Sequence, residues 1–291
     1  MNIKPIYKLI LPIILVLSMV FPNFASANEL KIENINTVHE LHNFIVSNNL
    51  ASLNENGQLL INQAINVSNE NTELFEQYLK DLEQLNSGVE EGLMYFDANY
   101  QIKIHTPEKI FETTLNESII NPKTNILFEE NLKLISPMEI PGAPPALNVK
   151  ALVQKNRAEL EKTYNTLLEA QKWGGGNAFS GIVGWWVGKV APNGAWDYKV
   201  QPGYSPWSKK FTGQFFDGKN VINSAYIGNY NYGYTGELLF SKNALLTAGD
   251  AVSLVTTFLS NVQKGKFKAQ LDTEEDKIPV RRGFDNAVKY D

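Results

Sequence analysis

The stretch Gly228-Asn229-Tyr230-Asn231-Tyr232-Gly233-Tyr234-Thr235-Gly236 alternates amides, tyrosines and glycines and carries no group that is charged at neutral pH. Alternation of period two predicts an extended strand, which sends Asn229, Asn231 and Gly233 to one face and Tyr230, Tyr232 and Tyr234 to the other. Read so, one face is amide and the other aromatic. An edge strand that only packs tyrosines on a core is the alternative. The strand also sets the fold class. With apolar helical stretches such as "NALLTAGDAVSLVTTFLSNV" (Asn243 to Val262) after it, the C-terminal half reads as α+β, behind a helix-rich N-terminal module.

At the other end, residues 1–27 carry Lys4 and Lys8, an apolar run from Leu9 to Phe21 and then Ala25-Ser26-Ala27, the pattern of a signal peptide cut after Ala27. The run falls short of the roughly 20 residues of a membrane span, and Pro12 interrupts it. The expectation is a secreted, extracellular protein that begins at Asn28, with no transmembrane segment in the mature chain. It has no cysteine, so stability must come from a hydrophobic core and not from disulfides.

Charge divides the chain. Residues 28–150 hold 7 Lys and Arg against 18 Asp and Glu, whereas residues 151–291 hold 17 against 13. Such asymmetry marks two modules, or an acidic half able to cover a basic site. In the acidic half, residues 28–135, Thr37 and Glu40 have capping-box spacing ahead of Val38, Leu41 and Ile45, and a second helix is expected from Thr72 to Leu85. Two short strands should turn at Asp97-Ala98-Asn99, and Thr106-Pro107-Glu108 should start a helix. Four prolines between Ser136 and Pro145 place a linker at 136–147. A C-terminal domain then spans 148–291, opening with a helix from Asn148 to Trp173 that Gly174 to Gly176 stop and hinge.

All three histidines, His39, His42 and His105, lie in the acidic half, and only His39 and His42 are spaced to share a metal, with no third ligand indicated. No metal or cofactor is expected. The C-terminal half, lacking His and Cys, must rely on carboxylates, Lys, Arg, Tyr and amides for any catalysis. Its candidates form three clusters. After the Pro192-Asn193-Gly194 turn come Trp196, Asp197, Tyr198 and Lys199, with Asp197 and Lys199 on one side of an extended segment. The Gly228 to Gly236 stretch supplies Asn229, Asn231, Tyr232 and Gly233. In "DTEEDKIPVRRG", Asp272 and Asp276 share a helix face ahead of Arg281 and Arg282. Singly, each has a plain structural reading: a surface ion pair for Asp197 and Lys199, a solvated helix start for Asp272 and Asp276, core packing for Trp185 and Trp186.

In this order, "NGAWDYK", "GNYNYGYTGELLFSKNALLTAG" and "DTEEDKIPVRRGFDNAVKY" resemble the type-44 polymorphic toxin domain of bacteria, over residues 175–291. The resemblance implies a toxin domain, generally expected to be a ribonuclease, at the C-terminal end of a secreted or contact-delivered protein with a cognate immunity protein. Its characteristic residues fall on Trp196, Asp197, Lys199, Gly228, Asn229, Tyr232, Gly233, Gly236, Asp272, Asp276 and Gly283. Many members have His where this chain has Asn231, which cannot transfer a proton near neutral pH. In such a site Asp197 would be general base or nucleophile, Lys199 would stabilise developing negative charge, Asp276 with Asp272 would supply a second acid or base, and Asn229, Asn231, Tyr232, Gly233, Trp196 and Arg281 would bind substrate. Two other classes fit the same residues. A cell-wall glycan hydrolase would use two carboxylates and Trp185, Trp186, Trp196 and Trp207 to stack on sugars. A non-catalytic module would bind a glycan or a protein through the amide and tyrosine surface.

Overall fold

The computed structural model describes residues 35–62, 72–120, 143–248 and 273–291. The leader with its cleavage site, linker residues 136–142, most of the apolar stretch after Ala248, and Asp272 lie outside the described residues.

The acidic half begins with α1 (Val38–Ser47), where both halves of the capping box between Thr37 and Glu40 are formed and Leu41, His42 and Ile45 turn inward. Two hairpins alternate with the next helices: β1 (Ala51–Leu53) with β2 (Leu59–Ile61), then α2 (Thr72–Glu90), then β3 (Met94–Phe96) with β4 (Ile102–Ile104). Asp97 closes the second hairpin at the expected turn, its Oδ1 accepting from the Asn99 and Gln101 amides. Pro107 is the first residue of α3 (Pro107–Ile120), where its missing N–H is no loss.

His42 shows how tightly this half is packed. It is fully buried, edge-on to Trp173, with Nε2 2.9 Å from the Tyr100 carbonyl oxygen, and burial holds its pKa below the ordinary value of about 6.5. The neutral ring therefore contributes stability that is complete above pH 6.5 and is lost as pH falls from there through the folded-state pKa. Thermal melts of His42→Gln and the parent between pH 7.5 and 5 should show a shallower acid slope in the variant.

In the basic half, α4 (Val149–Lys172) starts at Asn148, whose side chain accepts from the Ala151 amide, and ends in a Schellman motif. Gly174, at φ +80°, donates to the Gln171 carbonyl and Gly175 to that of Ala170. The glycine run is thus a stop, and it is also an anchor: the Ile104 amide of β4 donates to the Gly175 carbonyl at 2.7 Å. Next comes α5 (Ala178–Val190), buried on nearly all sides, with Trp185 and Trp186 in the core as expected. Its Gly184 and Gly188 lie directly on Pro107, Phe111 and Thr114 of α3, so helices from the two halves touch backbone to backbone. One cluster of buried apolar side chains runs from Leu41 to Ala287.

A three-stranded sheet follows, with β6 (Lys210–Phe215) central, parallel to β5 (Ala146–Asn148) and antiparallel to β7 (Gly218–Asn223). The fold mixes helices with small sheets, as the α+β reading expects. The strand reading of Gly228 to Gly236 is overturned. These residues belong to α6 (Ser224–Gly236), capped by Asn223, whose side chain accepts from the Tyr226 amide. The helix lies between α4 and α8 (Glu274–Tyr290), with the short α7 (Lys242–Ala248) beside them. Ser224, Ile227, Asn231, Tyr234 and Thr235 recur at helical spacing and are buried together, while Gly233 faces the other neighbour. A Cβ on Gly233 would stand 2.1 Å from the Val280 carbonyl oxygen, and one on Gly283 2.1 Å from that of Tyr230. The alternation imitates a strand because Gly233 and Gly236 meet close neighbours while the tyrosines and amides between them fill other faces of the helix.

Candidate functional site

The turn after α5 is built to hold Asp197. Asn193 takes up φ +68°, which Asn tolerates, and Gly194 passes so close to the Lys189 carbonyl that a Cβ would clash at 2.4 Å. The Trp196 amide donates to the Lys189 carbonyl, the Asp197 amide to that of Gly194, and Gln201 Nε2 also reaches the Gly194 carbonyl. Within this frame Asp197 is only 8% exposed; its Oδ2 accepts from the Asn193 amide at 3.0 Å, and its buried Oδ1 has no hydrogen-bond partner. Buried acceptors are almost always satisfied, so an unpaired carboxylate oxygen in a rigid turn calls for a chemical explanation. Lys199, two residues on, is exposed, and Trp196 packs edge-on against Trp185 inside the core.

Beneath this turn lies a polar hub. Asn156 of α4 uses both amide protons, donating to Tyr198 Oη at 2.7 Å and to Asn231 Oδ1 at 2.8 Å. All three side chains are buried, and Asn231 Nδ2 has no partner. One turn along α6, Thr235 receives the Trp186 indole N–H at 3.0 Å and donates to the Asn231 carbonyl. The first two clusters therefore meet inside the protein, through Tyr198, Asn156 and Asn231. Asn156→Ala leaves Asn231 Oδ1 without its donor and opens a void, and should cost about 3 kcal/mol of stability in urea unfolding, well above the ~0.5 kcal/mol of a surface change.

The second and third clusters meet at the start of α8. Asn229, half exposed, donates from Nδ2 to Asp276 Oδ1 at 3.0 Å, while Asp276 Oδ2 receives the Thr273 hydroxyl at 2.9 Å and closes a capping box. Asn229 and Asn231 are about 200° apart around the helix and do not share the substrate face expected of them. Asn231 looks into the core; Asn229 fixes the start of α8. Arg281 pairs with Glu274 at 3.1 Å, the partly buried Tyr232 ring lies 5.0 Å from that of Trp186, and Gly233 is a crossing point.

A further cluster was not legible in the sequence, because it joins three helices. Lys189 of α5 is buried over the Trp185 ring and pairs with Glu159 of α4 at 2.9 Å. Glu91, just past α2, is coupled to both of them and to Lys162, and burial raises its carboxyl above the usual range. Ser87 and Lys162 also border a cleft of about 580 Å³ between α2 and α4, lined by Lys80, Glu83 and Glu161 as well. Only the i, i+4 spacing of Trp185 and Lys189 could have hinted at this arrangement.

Among the described residues no group of three or more His, Cys, Asp and Glu is placed to hold a metal, and no helix is long and apolar enough to cross a membrane. Comparison of the chain with family models, curated proteins and solved structures finds no match.

Proposed function

We propose that this is a secreted, toxin-like protein whose C-terminal domain cleaves RNA without a metal, with Asp197 as general base. The observation that carries the reading is the buried, unpartnered Asp197 Oδ1, held in a turn whose backbone hydrogen bonds fix its direction. A general base needs a preoriented acceptor not already engaged within the protein. In the reaction, Oδ1 takes the proton of a ribose 2′-hydroxyl, the 2′-oxygen attacks the adjacent phosphorus, and the 5′-oxygen leaves with a proton from solvent. The Lys199 ammonium stabilises the charge that builds on the phosphoryl oxygens. Asp276, whose oxygens are both engaged, acts by fixing Asn229. A toxin of this kind requires an immunity protein in the cell that makes it.

A second reading, hydrolysis of wall glycan, is favoured by Glu91 and Glu159. These two carboxylates lie in unlike environments around one lysine, one raised by burial and the other ion-paired, and such a difference suits an acid and a base. One preparation of the chain from Asn28 separates the two. Shortening of RNA without release of soluble wall fragments supports the first reading; wall fragments with intact RNA replace it by the second.

A further inference from the structure

We infer that the outer face of the β5-β6-β7 sheet, together with Trp207, is a binding platform for single-stranded RNA. The identity of the polymer rests on the ribonuclease reading; the platform itself rests on the register of the sheet. Phe211, Gly213 and Phe215 of β6 point to the core, so Lys210, Thr212 and Gln214 point outward. Antiparallel pairing sets Lys210 opposite Asn223, Thr212 opposite Val221 and Gln214 opposite Lys219. The outer face of this hairpin thus carries a lysine at each end, amides beside them, and Val221, 62% exposed, in the middle.

The loop before β6 adds an aromatic surface at the Lys210 end. Trp207 is 61% exposed, and its backbone is fixed there because its carbonyl receives the Ala225 amide just past β7. An indole left in water on a pinned loop is a costly feature for packing and a useful one for stacking.

Charge selects the occupant. From Tyr198 to Gly236 the chain holds four lysines, Lys199, Lys209, Lys210 and Lys219, against one acidic residue, Asp217. Asp217 is already neutralised by Arg282, which grips both its oxygens. Among the described residues Lys199, Lys210 and Lys219 enter no ion pair. A cationic face with outward amides and one open ring suits a polyanion whose bases are unpaired, since a ring can stack only on a base free of its duplex. Lys199, also exposed, stands two residues past Asp197 in the chain.

The test is fluorescence anisotropy of the chain from Asn28 with a labelled 2′-O-methyl oligouridylate of about 12 nucleotides, which cannot react through its 2′-oxygen. Trp207→Ala should weaken binding roughly tenfold and leave its salt dependence unchanged. Lys210→Glu with Lys219→Glu should weaken binding at least about tenfold and flatten the salt dependence, because two phosphate contacts are lost. All three positions are exposed, and unchanged melting temperatures would show that the fold is kept. Parent-like binding by both variants overturns the platform, as does binding to anionic phospholipid vesicles but not to the oligonucleotide. Binding that depends on these residues without any RNA cleavage keeps the platform and removes the ribonuclease reading. Cleavage that neither variant slows at limiting RNA keeps that reading and removes the platform.

Discussion

Asp197→Asn should reduce RNA cleavage by roughly 10²- to 10⁴-fold, the range expected when a general base is lost. The substitution keeps the shape of the side chain and one acceptor oxygen, which can still receive the Asn193 amide and hold the turn. What disappears is the ability of the second position to accept a proton. Melting temperature should therefore stay within a few degrees of the parent while turnover collapses. Equal turnover with equal stability would make Asp197 a turn-forming residue only. Lys199→Ala, at an exposed position, should have a smaller effect, and one that shrinks with added salt.

Gly233→Ala and Gly283→Ala should each destabilise the protein by about 3 kcal/mol or more, the upper end for overpacking, because the new methyl meets backbone and not a movable side chain. Each Cβ would lie 2.1 Å from a carbonyl oxygen of the facing helix, Val280 for one and Tyr230 for the other. Relief requires α6 and α8 to separate, which also strains the bonds from Asn229 to Asp276 and from Asn286 Nδ2 to Tyr230 Oη. Gly228→Ala on the same helix is the control. Nothing lies within 4 Å of its added methyl, so the change should stabilise by up to about 1 kcal/mol through helix propensity. Denaturant unfolding of the three variants measures both signs.

These glycines explain where the sequence could be read and where it could not. Local signals were legible: the Thr37 capping box, the Asp97 hairpin turn, Pro107 at a helix start and the glycine stop after Trp173 each need only near neighbours along the chain. Gly228 to Gly236 misled because its alternation has a tertiary cause. Tyr230 and Tyr234 fill one helix face at i and i+4, Tyr232 turns onto Trp186, and Gly233 admits α8, a helix some 50 residues away in sequence. For the site, the Asn193-Gly194 turn and its Asp197 were readable, and the pairing of Asn229 with Asp276 follows the order of the clusters. The burial of Asn231 was not, since its partner Asn156 comes from a helix with no part in the sequence pattern. Glu91, Glu159 and Lys189 were invisible for the same reason: only the packing of α2, α4 and α5 brings them together.

The ends left on cleaved RNA bear most directly on the role given to Asp197. An oligodeoxynucleotide carrying a single ribonucleotide, incubated with excess protein in chelator and analysed by mass spectrometry, should be cut once, to a 2′,3′-cyclic phosphate and a 5′-hydroxyl. Recovery of the intact oligonucleotide, together with an intact all-RNA control of the same sequence, would contradict it.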